Sequence, residues 1–259
     1  MILVFSGTGN SMFAALQLGE RLADGALTVY PDRPACTGDR AVWVFPVYSW
    51  GVPPVVVKWI RETMRECPGL RSVPHYALLT CGDDTGLTAR QWRRLIADCG
   101  GDARAAFSVQ MPNTYVLMKG FDTDSPEVAE AKIAAAPARI AEIAARILSG
   151  TAADDCMRGR FAWMKSAVIY PWFVRHAMSP RPFHASDACV GCGICARSCP
   201  TGNITMKGGR PAWSDRCALC LRCYHICPHR AVQYGHATAG KSRYSDLISL
   251  TRTKSQNKC

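Results

Sequence analysis

The sequence has no long apolar run, no visible export signal and few acidic residues in its second part. Its longest apolar stretch near the middle, Ala167–Val174, is too short to cross a bilayer and contains Pro171. No basic region precedes Met1–Phe5, so the start does not have the pattern of a secretory signal. We therefore expect a globular chain in the cytoplasm, without a transmembrane segment and with its thiols reduced.

Cysteine, by contrast, is abundant and regularly spaced. The chain has 14 cysteines, and residues 189–228 contain the run C-x2-C-x2-C-x3-C-P twice, which is the bacterial spacing for two 4Fe-4S clusters. The first three cysteines of each run ligate one cluster and the fourth ligates the other. This rule assigns Cys189, Cys192, Cys195 and Cys227 to cluster one, and Cys217, Cys220, Cys223 and Cys199 to cluster two.

Structural zinc and a disulfide framework are the alternative uses of such cysteines. Neither accounts for a doubled three-plus-one pattern in which Pro200 and Pro228 follow the fourth cysteines. Residues 185–236 resemble the bacterial two-cluster ferredoxins, and the resemblance implies a small α+β domain.

Positive charge is concentrated in the same half of the chain. Residues 1–150 carry 15 Lys or Arg and 15 Asp or Glu, whereas residues 151–259 carry 16 and 5, so the second part supplies the net charge of +11. Clusters that each add roughly two negative charges would offset part of this excess. The remainder predicts an acidic redox partner. Nucleic-acid binding is not expected, because no helix-turn-helix, zinc finger or aromatic-basic pattern accompanies the charge.

A strand, a glycine-rich loop and a helix open the chain. Met1–Phe5 is typical of a buried parallel strand, and a helical pattern follows the loop Ser6–Ser11. Backbone N–H groups and hydroxyls at a helix N-terminus form an anion site. The loop lacks the Lys of a Walker loop, and Met12 replaces the third glycine of the dinucleotide fingerprint. It therefore suits a terminal phosphate monoester.

Further strands are predicted over residues 26–30, 41–45, 75–80 and 105–111, with helices between them. This alternation predicts a five-stranded parallel sheet in the order 2-1-3-4-5. Ser125 is expected to cap the helix over residues 126–149, and Pro137 to kink or break it. Ligands bind beyond the carboxyl ends of such strands, so Tyr48 and Trp50 lie where a planar ring could stack. Ordinary packing of these two aromatics is the alternative.

The loop Ser6–Ser11 resembles the phosphate loop of flavodoxins, which implies FMN. Over residues 1–245 the chain resembles the flavodoxin/ferredoxin fusion proteins of anaerobes. The stretches that carry this resemblance are Phe5–Ser11, Phe45–Tyr48, Thr80–Gly82, Met111–Tyr115 and Gly240–Tyr244. The family usually has a second Asn where this chain has Thr114. Together, the loop pattern and the resemblance indicate FMN contacts from Ser6, Thr8, Gly9, Asn10, Ser11, Pro46, Tyr48, Trp50, Gly51, Thr80, Cys81, Gly82 and Gly86.

Four segments follow from these patterns. They are a flavodoxin-like FMN domain at 1–149, a helical connection at 150–184, the ferredoxin domain at 185–236 and a basic C-terminal tail at 237–259. The connection is expected to brace the two domains against each other. Because arginines flank its aromatics, a helix on a membrane surface is the alternative, which leaves peripheral membrane contact open.

The leading functional hypothesis is an electron carrier in which the clusters and FMN lie close enough to exchange electrons. It assigns no catalytic residue. The alternative is an FMN-dependent reductase of a small organic substrate, with Tyr48, Cys81, Asn113, Tyr115 and His75 as candidate pocket residues. A redox-sensing binding protein is a third possibility.

Overall fold

The computed structural model describes residues 1–23 and 27–244. Its first part is a five-stranded parallel sheet in the order β2-β1-β3-β4-β5, so the predicted strand order is confirmed. The strands are β1 Ile2–Val4, β2 Leu27–Val29, β3 Ala41–Pro46, β4 Pro74–Cys81 and β5 Asp102–Gln110. Ala26, where the second strand was expected to begin, lies outside the described residues.

Helices cover both faces of this sheet. They are α1 Asn10–Leu22, α2 Pro54–Glu66, α3 Thr88–Asp98 and α4 Pro126–Leu148. Alternate strand residues point to opposite faces, so Leu3 and Phe5 pack on the side of α2 and α3, and Ile2 and Val4 on the side of α1 and α4. The alternation explains why β1 is apolar throughout.

Helix α4 begins as the sequence predicts and continues where a break was expected. Ser125 caps it, because the Ser125 side chain accepts a hydrogen bond from the Val128 N–H. A kink or a break was expected at Pro137, and the break is wrong because the helix is continuous from Pro126 to Leu148. Ala136 and Ile140 are buried against the sheet on either side of Pro137, and this packing compensates for the missing backbone hydrogen bond.

A helical segment and a small cluster-type domain follow the sheet. Residues 162–177 alternate short α-helical and π-helical turns, with α5 at Ala162–Met164 and α6 at Tyr170–Trp172. Two antiparallel pairs come next, β6 Phe183–Ala185 with β9 Val232–Tyr234, and β7 Ile204–Lys207 with β8 Arg210–Trp213. Two short helices, α7 Ile194–Arg197 and α8 Arg222–Ile226, lie in the cysteine-rich loops. Among the described residues, no helix is long and apolar enough to cross a membrane.

One apolar cluster joins the three parts of the chain. It contains Val116 and Leu117 after β5, Phe173 of the helical segment, and Tyr224 and Val232 of the C-terminal part. These side chains are at most 7% exposed. The sheet domain and the cysteine-rich domain therefore share part of their core.

Two expectations from the sequence need correction here. The thiols were expected to be reduced throughout, but Cys36 and Cys67 form a disulfide with a Cα–Cα distance of 5.2 Å. Composition predicts a redox compartment and cannot show that two distant residues meet beside the end of α2. His75, a candidate pocket residue, is buried away from the cavity. Its ring accepts a hydrogen bond from Trp43 Nε1 and is bonded to the Leu70 carbonyl oxygen.

Hydrogen bonds fix the end of the described chain to the segment after β5. The Lys241 Nζ donates to the carbonyl oxygens of Val116, Met118 and Phe121 at 2.6–2.7 Å. Tyr244 donates its hydroxyl to the Asp124 carbonyl oxygen. The rest of the expected basic tail, residues 245–259 with Cys259, lies outside the described residues.

Candidate functional site

The loop between β1 and α1 has the features of an anion site. Gly9, the N-cap of α1, has a φ of 110°, a conformation that glycine adopts at little cost, and it has no side chain that could cap the helix. The Met12 N–H in the first turn donates to Ser6 Oγ at 3.2 Å, which leaves the N–H groups of Asn10 and Ser11 for an anion. Ser6, Thr8 and Ser11 are buried beside them.

Side chains of this loop are hydrogen bonded to the ends of β4 and β5. Thr8 Oγ1 donates to Thr114 Oγ1 at 3.3 Å, Asn10 Nδ2 donates to the Pro112 carbonyl oxygen at 2.9 Å, and the hydroxyls of Ser11 and Thr80 are 2.8 Å apart. Asn10 Oδ1 is buried without a hydrogen-bond partner. A buried acceptor of this kind needs a donor, and a ligand hydroxyl could supply one.

A cavity of about 520 Å³ opens beside this loop. It lies at the carboxyl ends of the strands, where parallel sheets bind ligands. Ten of the expected FMN contacts line it, namely Ser6, Thr8, Asn10, Ser11, Pro46, Tyr48, Trp50, Thr80, Cys81 and Gly82. The other three do not line it: Gly9 caps α1, Gly51 packs against the Tyr170 ring, and Gly86 lies beside Trp50 and Ser166.

Tyr48 and Trp50 belong to a tight turn after β3. The backbones of Tyr48 and Gly51 exchange two hydrogen bonds of 3.0 Å, and Ser49 and Trp50 between them have φ values of 45° and 63°. Positive φ is costly for side-chain-bearing residues and is concentrated at functional sites. Burial raises the pKa of Tyr48 well above its usual value, and the Cys220 and Cys217 thiols raise it further. Tyr48 therefore stays a neutral hydrogen-bonding group close to Cys220 and Cys217.

The connecting helical segment forms another wall of the cavity. Lys165, Ile169, Trp172 and Phe173 all line it. The Lys165 Nζ is 2.5 Å from Asp84 Oδ2 and 5.0 Å from the centre of the Trp50 ring. One face of Trp50 is therefore engaged by a cation, which leaves Tyr48 as the freer aromatic of the expected pair.

Hydrogen bonds fix this segment on the sheet domain. Ser166 Oγ donates to the Trp50 carbonyl oxygen at 2.8 Å and accepts from the Leu87 N–H at 2.7 Å. The Tyr170 hydroxyl donates to the Val52 carbonyl oxygen at 2.5 Å. A Cβ on Gly51 would lie 2.3 Å from the Tyr170 ring, so the close approach needs glycine there. These contacts support the expected bracing role.

The segment after β5 contributes further wall residues and an acidic anchor. Asn113, Tyr115, Met118 and Phe121 line the cavity. Asp124 accepts from the Asn113 N–H at 3.0 Å and from Lys132 Nζ at 2.6 Å. Burial raises the pKa of Asp124, but the hydrogen bonds from Lys132 and Asn113 outweigh burial and lower it. The ionised carboxylate fixes the segment that carries Asn113 beside the phosphate loop.

Four cysteines surround a small cavity in the C-terminal domain. They are Cys189, Cys192, Cys195 and Cys227, the set that the spacing assigns to cluster one. The Cys227 Sγ accepts from the Ala231 N–H at 3.3 Å. Backbone N–H donors of this kind stabilise ligating thiolates and tune cluster potentials.

The remaining four cysteines form a second group. The thiols of Cys199, Cys217 and Cys220 lie near enough to Cys223 to raise its pKa, in addition to the larger effect of burial. The Cys199 Sγ accepts from the Asn203 N–H at 3.3 Å and the Cys217 Sγ from the Leu219 N–H at 3.4 Å. No group of three or more His, Cys, Asp or Glu side chains in the described part of the chain is arranged to hold a single metal ion. The two cysteine groups match the crossed sets expected for two clusters.

The second cysteine group adjoins the large cavity. Leu219, Cys220 and Leu221 line that cavity beside the loop Ser6–Ser11. Gly7 packs directly on Cys220. The carbonyl of Thr114 accepts a 2.8 Å hydrogen bond from His225 Nε2, so this residue bonds both the phosphate loop and the cysteine-rich domain. Thr114 therefore links these two parts of the protein.

The sequence pattern alone did not assign the walls supplied by the helical segment and by Met118 and Phe121. Their apolar character was visible, but only the tertiary fold brings them to the strand ends. Asn113 and Tyr115 were already candidate pocket residues of the reductase hypothesis, and both line the cavity.

Comparison with known proteins identifies the C-terminal part. Residues 188–233 match the family model of the 4Fe-4S dicluster domain. The solved Trp repressor binding protein from Bacillus subtilis is similar to this chain with a TM-score of 0.36 and 14% identity, over 54% of this chain and 97% of that one. No curated protein matches. The chain therefore carries a 4Fe-4S dicluster ferredoxin domain near its C-terminal end, preceded by an α/β domain with the flavodoxin-like strand order 2-1-3-4-5.

Proposed function

We propose that the protein transfers electrons between two 4Fe-4S clusters and FMN, and from there to a redox partner. A ferredoxin domain of this type supports electron transfer. In this proposal residues 1–149 hold FMN, 150–184 connect the domains and 185–236 hold the clusters. The proposal includes a cytoplasmic location. It also includes an acidic partner, because the excess positive charge lies in the second half of the chain.

The cavity residues fit FMN. The N–H groups of Asn10 and Ser11 at the start of α1 and the hydroxyls of Ser6, Thr8 and Ser11 suit a phosphate monoester without a cation. Asn10 Oδ1, buried without a partner, would accept from a ribityl hydroxyl. Tyr48 offers an aromatic face, and a volume of about 520 Å³ is typical of cofactor sites. When bound, FMN supplies exchange of one or two electrons.

The observation that carries the proposal is the position of Cys220. This cysteine belongs to the second ligand group and also lines the cavity that contains the phosphate loop. A cluster on that thiolate and a flavin in that cavity would be neighbours. This contact between Cys220 and the cavity supports a relay in which the two redox sites are adjacent.

Anaerobic purification with quantification of iron and flavin tests this proposal. We expect about eight iron atoms and one FMN per chain, with an absorbance spectrum that contains both contributions. Full iron content together with no FMN binding, even after incubation with excess FMN, would contradict the proposed relay. Less than half of the iron would contradict the paired clusters.

An FMN-dependent reductase is the second candidate, and the mouth of the cavity favours it. Met118, Phe121 and Trp172 line the cavity and are 40%, 47% and 53% exposed, so a small apolar molecule could reach the interior. Steady turnover of a small acceptor without a protein partner would establish the reductase. Turnover that requires an added redox protein would establish the carrier.

A further inference from the structure

The connecting helical segment has two different faces. Ser166 and Phe173 are 5% exposed and face the rest of the protein. Met164, Val168 and Trp172, on the opposite side, are 45%, 52% and 53% exposed. A helix on the surface of a globular protein normally presents polar residues outward. This segment presents large apolar ones, which its bracing role does not require.

The apolar surface continues before the helix. Six of the eleven exposed large hydrophobic residues in the described chain fall within residues 157–172. We name these six the outer patch: Met157, Phe161, Trp163, Met164, Val168 and Trp172. Phe161 and Trp163 are each 67% exposed, so their rings project into solvent. Contiguous exposed apolar side chains of this size mark an interaction surface.

The charges within the segment that carries the outer patch are all positive, and Asp83 on a neighbouring loop is an exposed carboxylate that lines the same cavity as Trp172. Residues 156–186 contain no Asp or Glu. Arg158, Arg160, Arg175 and Arg181 are exposed, while Lys165 is paired with Asp84. The guanidinium of Arg160 lies 5.4 Å from the centre of the Phe161 ring.

Carboxylates packed nearby are already engaged. Asp154 is bound by Arg93 at 2.7 Å, and Asp155 by Arg139 and Arg146 at 2.9 and 2.5 Å. They do not neutralise the four exposed arginines. The surface therefore combines projecting aromatic rings with uncompensated positive charge.

We propose that the outer patch docks on the surface of an anionic lipid membrane. Tryptophan and phenylalanine beside arginine form the usual face of helices that lie in the headgroup region. Basic residues near an anionic leaflet strengthen binding to it. Aromatic rings that project into solvent, as those of Phe161 and Trp163 do, suit insertion into the headgroup region of a lipid surface. Trp172 belongs to both the outer patch and the cavity wall, so docking places the cavity mouth beside the lipid.

Vesicle flotation with the full-length holoprotein tests the proposal. The probes are vesicles of phosphatidylcholine alone and of an equal mixture of phosphatidylcholine and phosphatidylglycerol. We expect at least about tenfold stronger partitioning onto the anionic vesicles, because four arginines contribute, and weakening at high salt. Equal or absent binding to both vesicle types would overturn the proposal.

Matched variants distinguish membrane binding through the outer patch from non-specific binding by exposed apolar residues elsewhere. Phe161→Ser with Trp163→Ser should reduce binding to anionic vesicles about tenfold or more, and Arg158→Gln with Arg160→Gln should remove most of the preference for anionic lipid. Val128→Ser with Leu148→Ser is the control, since these residues on α4 are 46% and 54% exposed. Unchanged iron content verifies folding of each variant. An equal loss in the control would overturn the proposal, as would a concentration-dependent dimer that the patch variant abolishes.

Discussion

A Cβ placed on Gly7 would lie 2.8 Å from both the Cβ and the carbonyl oxygen of Cys220. Gly7 belongs to the phosphate loop and Cys220 to the second cysteine group, so glycine at this position permits the two loops to touch. Side-chain carbons essentially do not approach this closely, and either loop must move to admit even a methyl group.

Gly7→Ala is therefore expected to weaken FMN binding about tenfold or more, because overpacking of this kind costs about 1–3 kcal/mol. The measurement is the FMN dissociation constant of the flavin-free protein by fluorescence quenching. Gly69→Ala is the control, since its nearest neighbour would be 4.0 Å away. Equal affinities for the two variants would show that the contact does not matter for the cavity.

Cys199→Ala should remove the cluster of the later triplet, because Cys199 lies with Cys217, Cys220 and Cys223. Iron should fall from about eight to about four atoms per chain. Paramagnetic resonance of the reduced protein should retain the signal of the cluster at Cys189, Cys192 and Cys195.

Cys227→Ala is the mirror control and should spare the later triplet. If Cys199→Ala instead removed the signal of the earlier triplet, the crossed ligation would be wrong.

Lys241→Met should loosen the segment after β5. The ammonium group of Lys241 holds three carbonyl oxygens between Val116 and Phe121. Trypsin cleavage after the exposed Lys119 should become severalfold faster, because cleavage requires local opening. Lys207→Met, at another exposed lysine, should leave the rate unchanged. Identical digestion of both variants would argue against a fastening role for Lys241.

Ser166→Ala should destabilise the docking of the helical segment. The change leaves the Leu87 N–H and the Trp50 carbonyl without their partner, at a cost of about 1–3 kcal/mol. The expected result is a midpoint of thermal unfolding lower by roughly 2–12 °C. Ser149→Ala, at an exposed position, serves as the control. A midpoint shift no larger than that of the control would refute the bracing contact.

His75 should make stability depend on pH. Burial lowers the pKa of His75, and the hydrogen bond to Leu70 and the charge of Asp102 only partly oppose this. The unfolded chain binds a proton below about pH 6.5, whereas the folded chain does so only at lower pH. The free energy of unfolding contributed by His75 is therefore fully present above that value and decreases as the pH falls.

The test for His75 compares thermal midpoints at pH 7.5 and 5.5 under anaerobic conditions. The decrease on acidification should be smaller in His75→Gln than in the wild type. His176→Gln, at an exposed histidine, should retain the wild-type decrease. An unchanged decrease in His75→Gln would assign the pH dependence to other groups.

Sequence patterns predicted the strand order and the grouping of the cysteines. The order follows from the alternation of strands and helices, and the positions of Cys199 and Cys227 follow from the cysteine spacing. The cap at Ser125, which involves only Ser125 and the nearby Val128 N–H, was also predicted. Contacts between distant residues were not visible, such as the link from Thr8 through Thr114 to His225. The continuous helix through Pro137 shows packing against a sheet overriding a local preference.

The helical segment shows most clearly why part of the site could not be predicted. Its apolar residues indicated helices, but the pattern did not distinguish a brace from a surface helix. The structure shows both properties on opposite faces, because Phe173 is buried while Trp163 is exposed. Only the position of the sheet decides which face is covered.

The fastening by Lys241 also has a consequence for biosynthesis. Lys241 is translated 120 residues after Phe121, whose carbonyl it binds. At typical elongation rates of 5–20 residues per second, the ribosome needs on the order of 10 s for that distance. During this interval the nascent sheet domain has the loop Ser6–Ser11 but lacks the lysine that binds the carbonyl oxygens of the wall residues Met118 and Phe121. Cofactor loading before that point would meet an open, weaker site, so the site is complete only after Lys241 has been synthesised.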